Sequence, residues 1–229
     1  MRSFNCDMQK LDKYERNLLK NALQHSKEIL SGEGSGHDWW HTYRVWKTAT
    51  TICEKEGADT VVVQLSSLLH DIEDWKFNMG SEDKTLRHAT EFLKTEKLEQ
   101  KRIEHVCEII KTMSFKGAKN SSRPSTIEGQ IVQDADRLDA IGAIGIARVF
   151  SFGGFKQREI HNPNLKPQKF NSKEAYLNNK GTSINHFYEK MLLLKDLMNT
   201  KTAKKIAIKR HNFLLKYLDE FYKEWEGIK

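Results

Sequence analysis

Leu68-Leu69-His70-Asp71-Ile72-Glu73-Asp74 is the stretch from which the rest of the chain is read. The apolar run Val61–Leu69 leads into it and stops at an adjacent imidazole and carboxylate, with Glu73 and Asp74 just behind. Burying such a pair without partners costs several kcal/mol per charge. A divalent metal ion compensates that cost directly, and its remaining ligands must come from elsewhere in the chain. The candidates are His41, upstream, and Asp136, downstream in Gln133-Asp134-Ala135-Asp136-Arg137-Leu138-Asp139-Ala140.

His41 lies in Gly36-His37-Asp38-Trp39-Trp40-His41-Thr42-Tyr43-Arg44-Val45. Trp39, Tyr43, Trp46, Ala49 and Cys53 mark a helix there that stops at Gly57. His37 competes for the ligand role, but it follows Gly36 at the helix start, whereas His41 is inside the helix proper. Taken singly, His41 reads sooner as a surface or satisfied core histidine than as a ligand. Of the downstream aspartates, Asp134 reads as part of a solvated acidic face.

The order His41, then His70-Asp71, then Asp136 resembles that of the HD superfamily of metal-dependent phosphohydrolases. The chain is further similar to a bacterial single-domain group of nucleotide pyrophosphohydrolases, a likeness that takes in Gly181-Thr182-Ser183-Ile184-Asn185-His186-Phe187-Tyr188-Glu189-Lys190. The resemblance implies an all-α HD-domain fold in which His41, His70, Asp71 and Asp136 hold one ion. It matches Asp136 to the last ligand, with Asp139 at i+3 as a supporting partner. It further implies cleavage of (deoxy)nucleoside triphosphates to monophosphate and pyrophosphate. A 5′-nucleotidase or other phosphomonoesterase is the alternative, followed by a non-catalytic nucleotide-sensing module. Relatives that hold two metals place extra histidines between the His-Asp pair and the last Asp. His88 and His105 fall in that interval without reproducing the pattern.

The periodicity predicts helices throughout. Leu11, Tyr14, Leu18 and Ala22 mark the first, over 11–30. Asp59 or Thr60 caps the helix that runs through the triple valine to His70, and the valines lack the strict alternation of a strand. In a helix continuing past His70, Asp74 falls at i+4 and Glu73 at i+3, both near the imidazole. Two more helices follow, through Leu86, Ala89 and Leu93 and through Ile103, Val106, Ile109 and Ile110. Ser125 to Glu128 reads as a capping box for a helix through Ile131, Ala135, Leu138 and Ile141, and on into Ala143–Ala147. Periodicity fails over 151–171, which is expected to be a loop covering the active site. Closing helices are expected at 183–198 and 202–225. The whole is expected to form one domain over 1–229, with metal-binding helices over about 37–150 and the cover loop and closing helices over about 151–229.

Bulk composition bounds the partners. Three cysteines, widely spaced, form neither a metal-type pair nor a disulfide framework, and no window approaches the roughly 20 apolar residues of a membrane span. A cytoplasmic location is expected, with no membrane contact. The net charge of +7 is spread out, with its densest patch at Lys201–Lys209 and no basic stripe interleaved with aromatics. Nucleic acid is therefore a minority expectation, and a small-molecule nucleotide is the partner that the resemblance implies. Leu and aromatic residues in the last helices are compatible with a homodimer.

Two imidazoles and two carboxylates suit Mn²⁺ (the first expectation), Fe²⁺, Co²⁺, Ni²⁺ or Zn²⁺ better than an all-oxygen cage. Asp74 is the candidate to orient or deprotonate the attacking water, with Glu73 next. Related HD hydrolases carry a carboxylate at that position, often as the longer Glu. Arg44, Lys76 and Arg137, near the ligands in sequence, and Lys180, His186 and Lys190, from the matching C-terminal stretch, are the candidate phosphate contacts. Trp39, Trp40 and Trp75 could stack a base.

Overall fold

The structure, a computed structural model, describes residues 11–32, 38–72, 82–113, 123–170 and 179–228. Among them the regular elements are all helical: α1 (Lys13–Leu30), α2 (Trp39–Glu56), α3 (Thr60–Leu69), α4 (Glu82–Thr95), α5 (Gln100–Thr112), α6 (Ile127–Asp139), α7 (Gly142–Phe155), α8 (Ser183–Glu189), a 3₁₀ segment (Met191–Leu197) and α9 (Lys201–Trp225). The chain divides into two compact units: residues 1–114 with 124–135, and residues 115–123 with 136–229.

The first unit is built around α3. Its N-cap Asp59 accepts from the amides of Val61 (2.9 Å) and Val62 (3.1 Å), satisfying donors that a helix start leaves open. Every residue from Val61 to Leu69 is buried, as expected of a helix apolar on most of its faces. It packs against α1, α2 and α5, and α4 rests on α5. α1 opens with a reciprocal capping box between Asp12 and Glu15. It turns Leu18, Leu19, Ala22, Ser26 and Leu30 inward at helical spacing. Arg102 of α5 ties two of these helix starts together, reaching Glu15 at 3.1 Å and Asp59 at 3.2 Å.

In the second unit α7 and the 3₁₀ segment pack on α9, with α8 against both of the shorter elements. Phe187 stacks on Tyr217 with centroids 5.7 Å apart, and Phe150 meets both rings. A Cβ on Gly153 would lie 2.2 Å from Ser183 Oγ, so with glycine there α7 meets α8 with the Ser183 hydroxyl undisturbed.

Four boundaries differ from the sequence expectation. Thr126, not Ser125, caps α6, its Oγ1 accepting from Gly129 N at 3.2 Å. Glu128, freed from a box, accepts from the Asp59 amide at 3.0 Å. The continuous helix expected into Ala147 breaks at Gly142, whose φ of +77° is left-handed and favours glycine. α7 then extends to Phe155, so the irregular stretch begins later than residue 151. The expected helix 183–198 is a short α-helix followed by a 3₁₀ turn.

Candidate metal centre

The end of α3 presents the pair. The helix stops at Leu69; His70 keeps helical angles (φ −66°, ψ −29°), and Asp71 and Ile72 form a turn. Carbonyls at a helix C-terminus lack intrahelical partners, and two are taken here by side chains. Ser26 Oγ donates to the Leu68 carbonyl at 2.7 Å, and His70 Nδ1 lies 2.9 Å from the Ser67 carbonyl. Because a carbonyl can only accept, Nδ1 carries the proton and Nε2 keeps its lone pair. That Nε2 is buried and has no hydrogen-bond partner among the described residues.

His41 reaches the same place from α2. Asp38 caps this helix by accepting from the His41 amide at 2.9 Å, and Gly57 closes it at φ +73°. A buried bond from Trp46 Nε1 to Gln64 Oε1, 2.8 Å, pins α2 to α3 and fixes the two histidines relative to each other. His41 is fully buried.

Asp71 Oδ2 lies 3.4 Å from His41 Nε2 and 3.5 Å from His70 Nε2, and the imidazoles are 5.5 Å apart at 64°. Donor atoms of all three residues fall within 4.8 Å of one another. These separations exceed the 2.7–2.9 Å of a charge-assisted hydrogen bond. Metal bonds of about 2.0–2.2 Å place neighbouring donors roughly 3–3.6 Å apart, which is the spacing seen. Two imidazole nitrogens and a carboxylate, one nitrogen buried with its lone pair unused, thus fit a divalent first-row ion.

The other sequence candidates are placed as follows. Arg44 is half-buried, one turn beyond His41 on α2. Asp74, Glu73, Lys76, Trp75 and His37 lie outside the described residues. In the second unit, Asp136 is half-buried on α6 and is the main opposite charge felt by Lys190. Burial pulls the Lys190 ammonium down, Asp136 opposes this, and Arg148 and Arg137 add to the lowering. Arg137 is buried and donates to the Leu197 carbonyl. His186 is pushed down to about 3, by burial first and then by Lys190 and Arg158, so it is neutral at ordinary pH. Lys180 is exposed.

Asp134 was expected on a solvated face and is instead fully buried. From Ile131 to Asp139 every residue of α6 is buried or half-buried, so this part of the helix offers no solvated face. Asp139 is also buried and pairs with Arg148 at 2.8 Å. His105 is engaged away from the cluster, its Nε2 3.1 Å from Thr126 Oγ1 and 3.8 Å from Glu128 Oε2. Sequence reasoning missed Ser26, Gln64 and Arg148. A lone Gln inside the apolar run 61–69 was a signal for Gln64, whereas Ser26 and Arg148 carried none.

The model of the HD domain family matches residues 39–141. The Bacillus subtilis protein YpgQ, described as uncharacterised, is 39% identical over 203 residues, covering 88% of this chain and 91% of its own. A crystal structure of YpgQ in complex with ADP superposes with a TM-score of 0.74 at 33% identity, covering 92% of this chain and 96% of that one. A Lactobacillus plantarum protein superposes with a TM-score of 0.81 at 34% identity, covering 92% and 98%. An HD-superfamily hydrolase from Bacillus thuringiensis does so with a TM-score of 0.73 at 38% identity, covering 93% and 98%. Family match, near-full-length relatives and the His-His-Asp cluster agree: the chain belongs to the HD superfamily and is a metal-dependent hydrolase of that family.

Proposed function

We propose that the protein hydrolyses a phosphoanhydride bond of nucleotides, cleaving (deoxy)nucleoside triphosphates to monophosphate and pyrophosphate. The observation that carries the reading is the buried His41–His70–Asp71 cluster. The ADP complex of the relative YpgQ supports a nucleotide as the ligand class. Asp136 is proposed as the fourth ligand on the motif order alone, and Mn²⁺ as the resident ion. The family match runs through the boundary between the two compact units, which supports one functional domain over 1–229.

When bound, the ion acidifies a water and draws charge from the phosphoryl group. The chain's own part is to hold that site ready. Ser67 fixes the His70 tautomer, Ser26 anchors the end of α3, and Asp71 supplies a carboxylate between the two imidazoles. Asp74, or else Glu73, is proposed to accept the proton of the attacking water. Arg44, Lys76, Arg137, Lys180, His186 and Lys190 are the proposed phosphate contacts. Among the described members, Lys190 stands beside Asp136 in charge, and neutral His186 would act as a hydrogen-bond partner only.

Among the described residues no single helix is long and apolar enough to cross a membrane; a cytoplasmic enzyme is proposed. The exposed Ile208, Phe213 and Leu215 of α9 are compatible with a homodimer, which light scattering tests. The deciding experiment is a panel of nucleoside mono-, di- and triphosphates with Mn²⁺, scored for phosphate and pyrophosphate separately. Pyrophosphate from triphosphates is expected. Phosphate from monophosphates would replace the reading with a nucleotidase, and no turnover by metal-loaded protein would replace it with a sensor.

A further inference from the structure

Trp40 is 58% exposed, although the residues on either side of it, Trp39 and His41, are buried at 6% and 0%. A large indole left in water on the first turn of α2, next to a residue of the metal cluster, gains nothing from the core. Tyr43 meets it edge-on, with centroids 5.9 Å apart at 81°. Among the described residues no ring is stacked on it.

Helix geometry sets its place relative to the cluster. At about 100° per residue, Arg44 projects roughly 40° from Trp40 and roughly 60° from His41, between the two. Around α2 the order is therefore imidazole, guanidinium, indole. A nucleotide has the same order of needs: a cation-binding phosphate, a further phosphate charge, then a flat base. An indole face accepts any base, because every base offers a π surface.

We propose that Trp40 is the base-stacking surface of the substrate site and gives it a preference for nucleosides of any base over bare phosphate chains. This rests on the nucleotide reading above. The test is calorimetric binding of ADP and of inorganic pyrophosphate to the full-length, Mn²⁺-loaded protein, with Trp40→Ala and Trp40→Phe. Trp40→Ala should weaken ADP by about 10-fold, within the range for losing one stacked base. Pyrophosphate binding should be unchanged, and Trp40→Phe should keep most of the ADP affinity. Unaltered ADP affinity in Trp40→Ala overturns the proposal, as does parallel loss of both ligands or wild-type protein that binds no ADP. A changed sedimentation coefficient with unchanged ADP binding also overturns it, since Trp40 would then be a contact between copies. Trp40-dependent ADP binding by a protein that turns over no nucleotide supports the stacking site while removing the hydrolytic reading, so the two fail separately.

Discussion

His70 and Ser67 are joined by a 2.9 Å contact from the imidazole Nδ1 to the carbonyl oxygen one helical turn back. The contact decides which nitrogen faces Asp71, and so presents an unprotonated Nε2 beside the carboxylate. The side chain that supplies a ligand atom is thus oriented by the backbone of the helix it terminates.

Asp71 is the anionic member of the cluster, 3.4 Å from His41 and 3.5 Å from His70. Asp71→Ala should lower metal content and turnover together. Metal analysis of the purified variant beside an activity assay reads both. Full metal content would remove Asp71 from the ligand set.

Asp74 separates chemistry from metal binding. Asp74→Ala should keep the metal while slowing turnover by about 10²–10⁴, the range for a residue that moves or positions a proton. Undiminished turnover would pass the assignment to Glu73.

Ser26 Oγ donates to the Leu68 carbonyl in a fully buried setting. Ser26→Ala leaves that acceptor without its donor, and the expected loss is about 1–3 kcal/mol of stability. Urea unfolding of the metal-free protein measures it without interference from ion binding.

Gly142 sits at φ +77°, and a Cβ there would lie 3.0 Å from Arg210 Cγ. Gly142→Ala should cost about 1–2 kcal/mol from backbone strain alone, read as a lower midpoint in thermal unfolding.

His186 titrates at 6.5 in the unfolded chain, and burial holds it at about 3 in the folded one. Above 6.5 neither state takes up the proton, and the contribution to stability is complete. As pH falls from 6.5 towards 3, only the unfolded chain binds it. Stability is then lost by up to about 1.4 kcal/mol per pH unit. His186→Asn should flatten this acid limb by one proton, as measured by unfolding across that range. An unchanged slope would show that His186 protonates freely in the folded protein.

Much of the first unit was legible because its signals are local. Asp59 before an apolar run, Gly57 after a helical stripe and the abrupt His70-Asp71 ending each fix a boundary from adjacent residues. What brings His41 to Asp71 was less so. The Trp46–Gln64 bond and the Ser26–Leu68 bond join residues 18 and 42 positions apart, and no pattern of neighbours encodes them. Asp134 shows the limit: three acids spaced along a helix look alike until packing buries two of them, Asp134 and Asp139. The break at Gly142 was hidden for a similar reason, since glycine among alanines reads as close packing as readily as a left-handed turn.

α3 has ten residues and no face left to water. So short a helix is marginal in isolation, and it gains its burial only when α1, α2 and α5 have all arrived. The His70 and Asp71 side chains at its end therefore cannot be held against His41 in a half-assembled chain. Capture of an ion by these three side chains would follow assembly of the helices around α3, so a bound metal would report that this unit has folded.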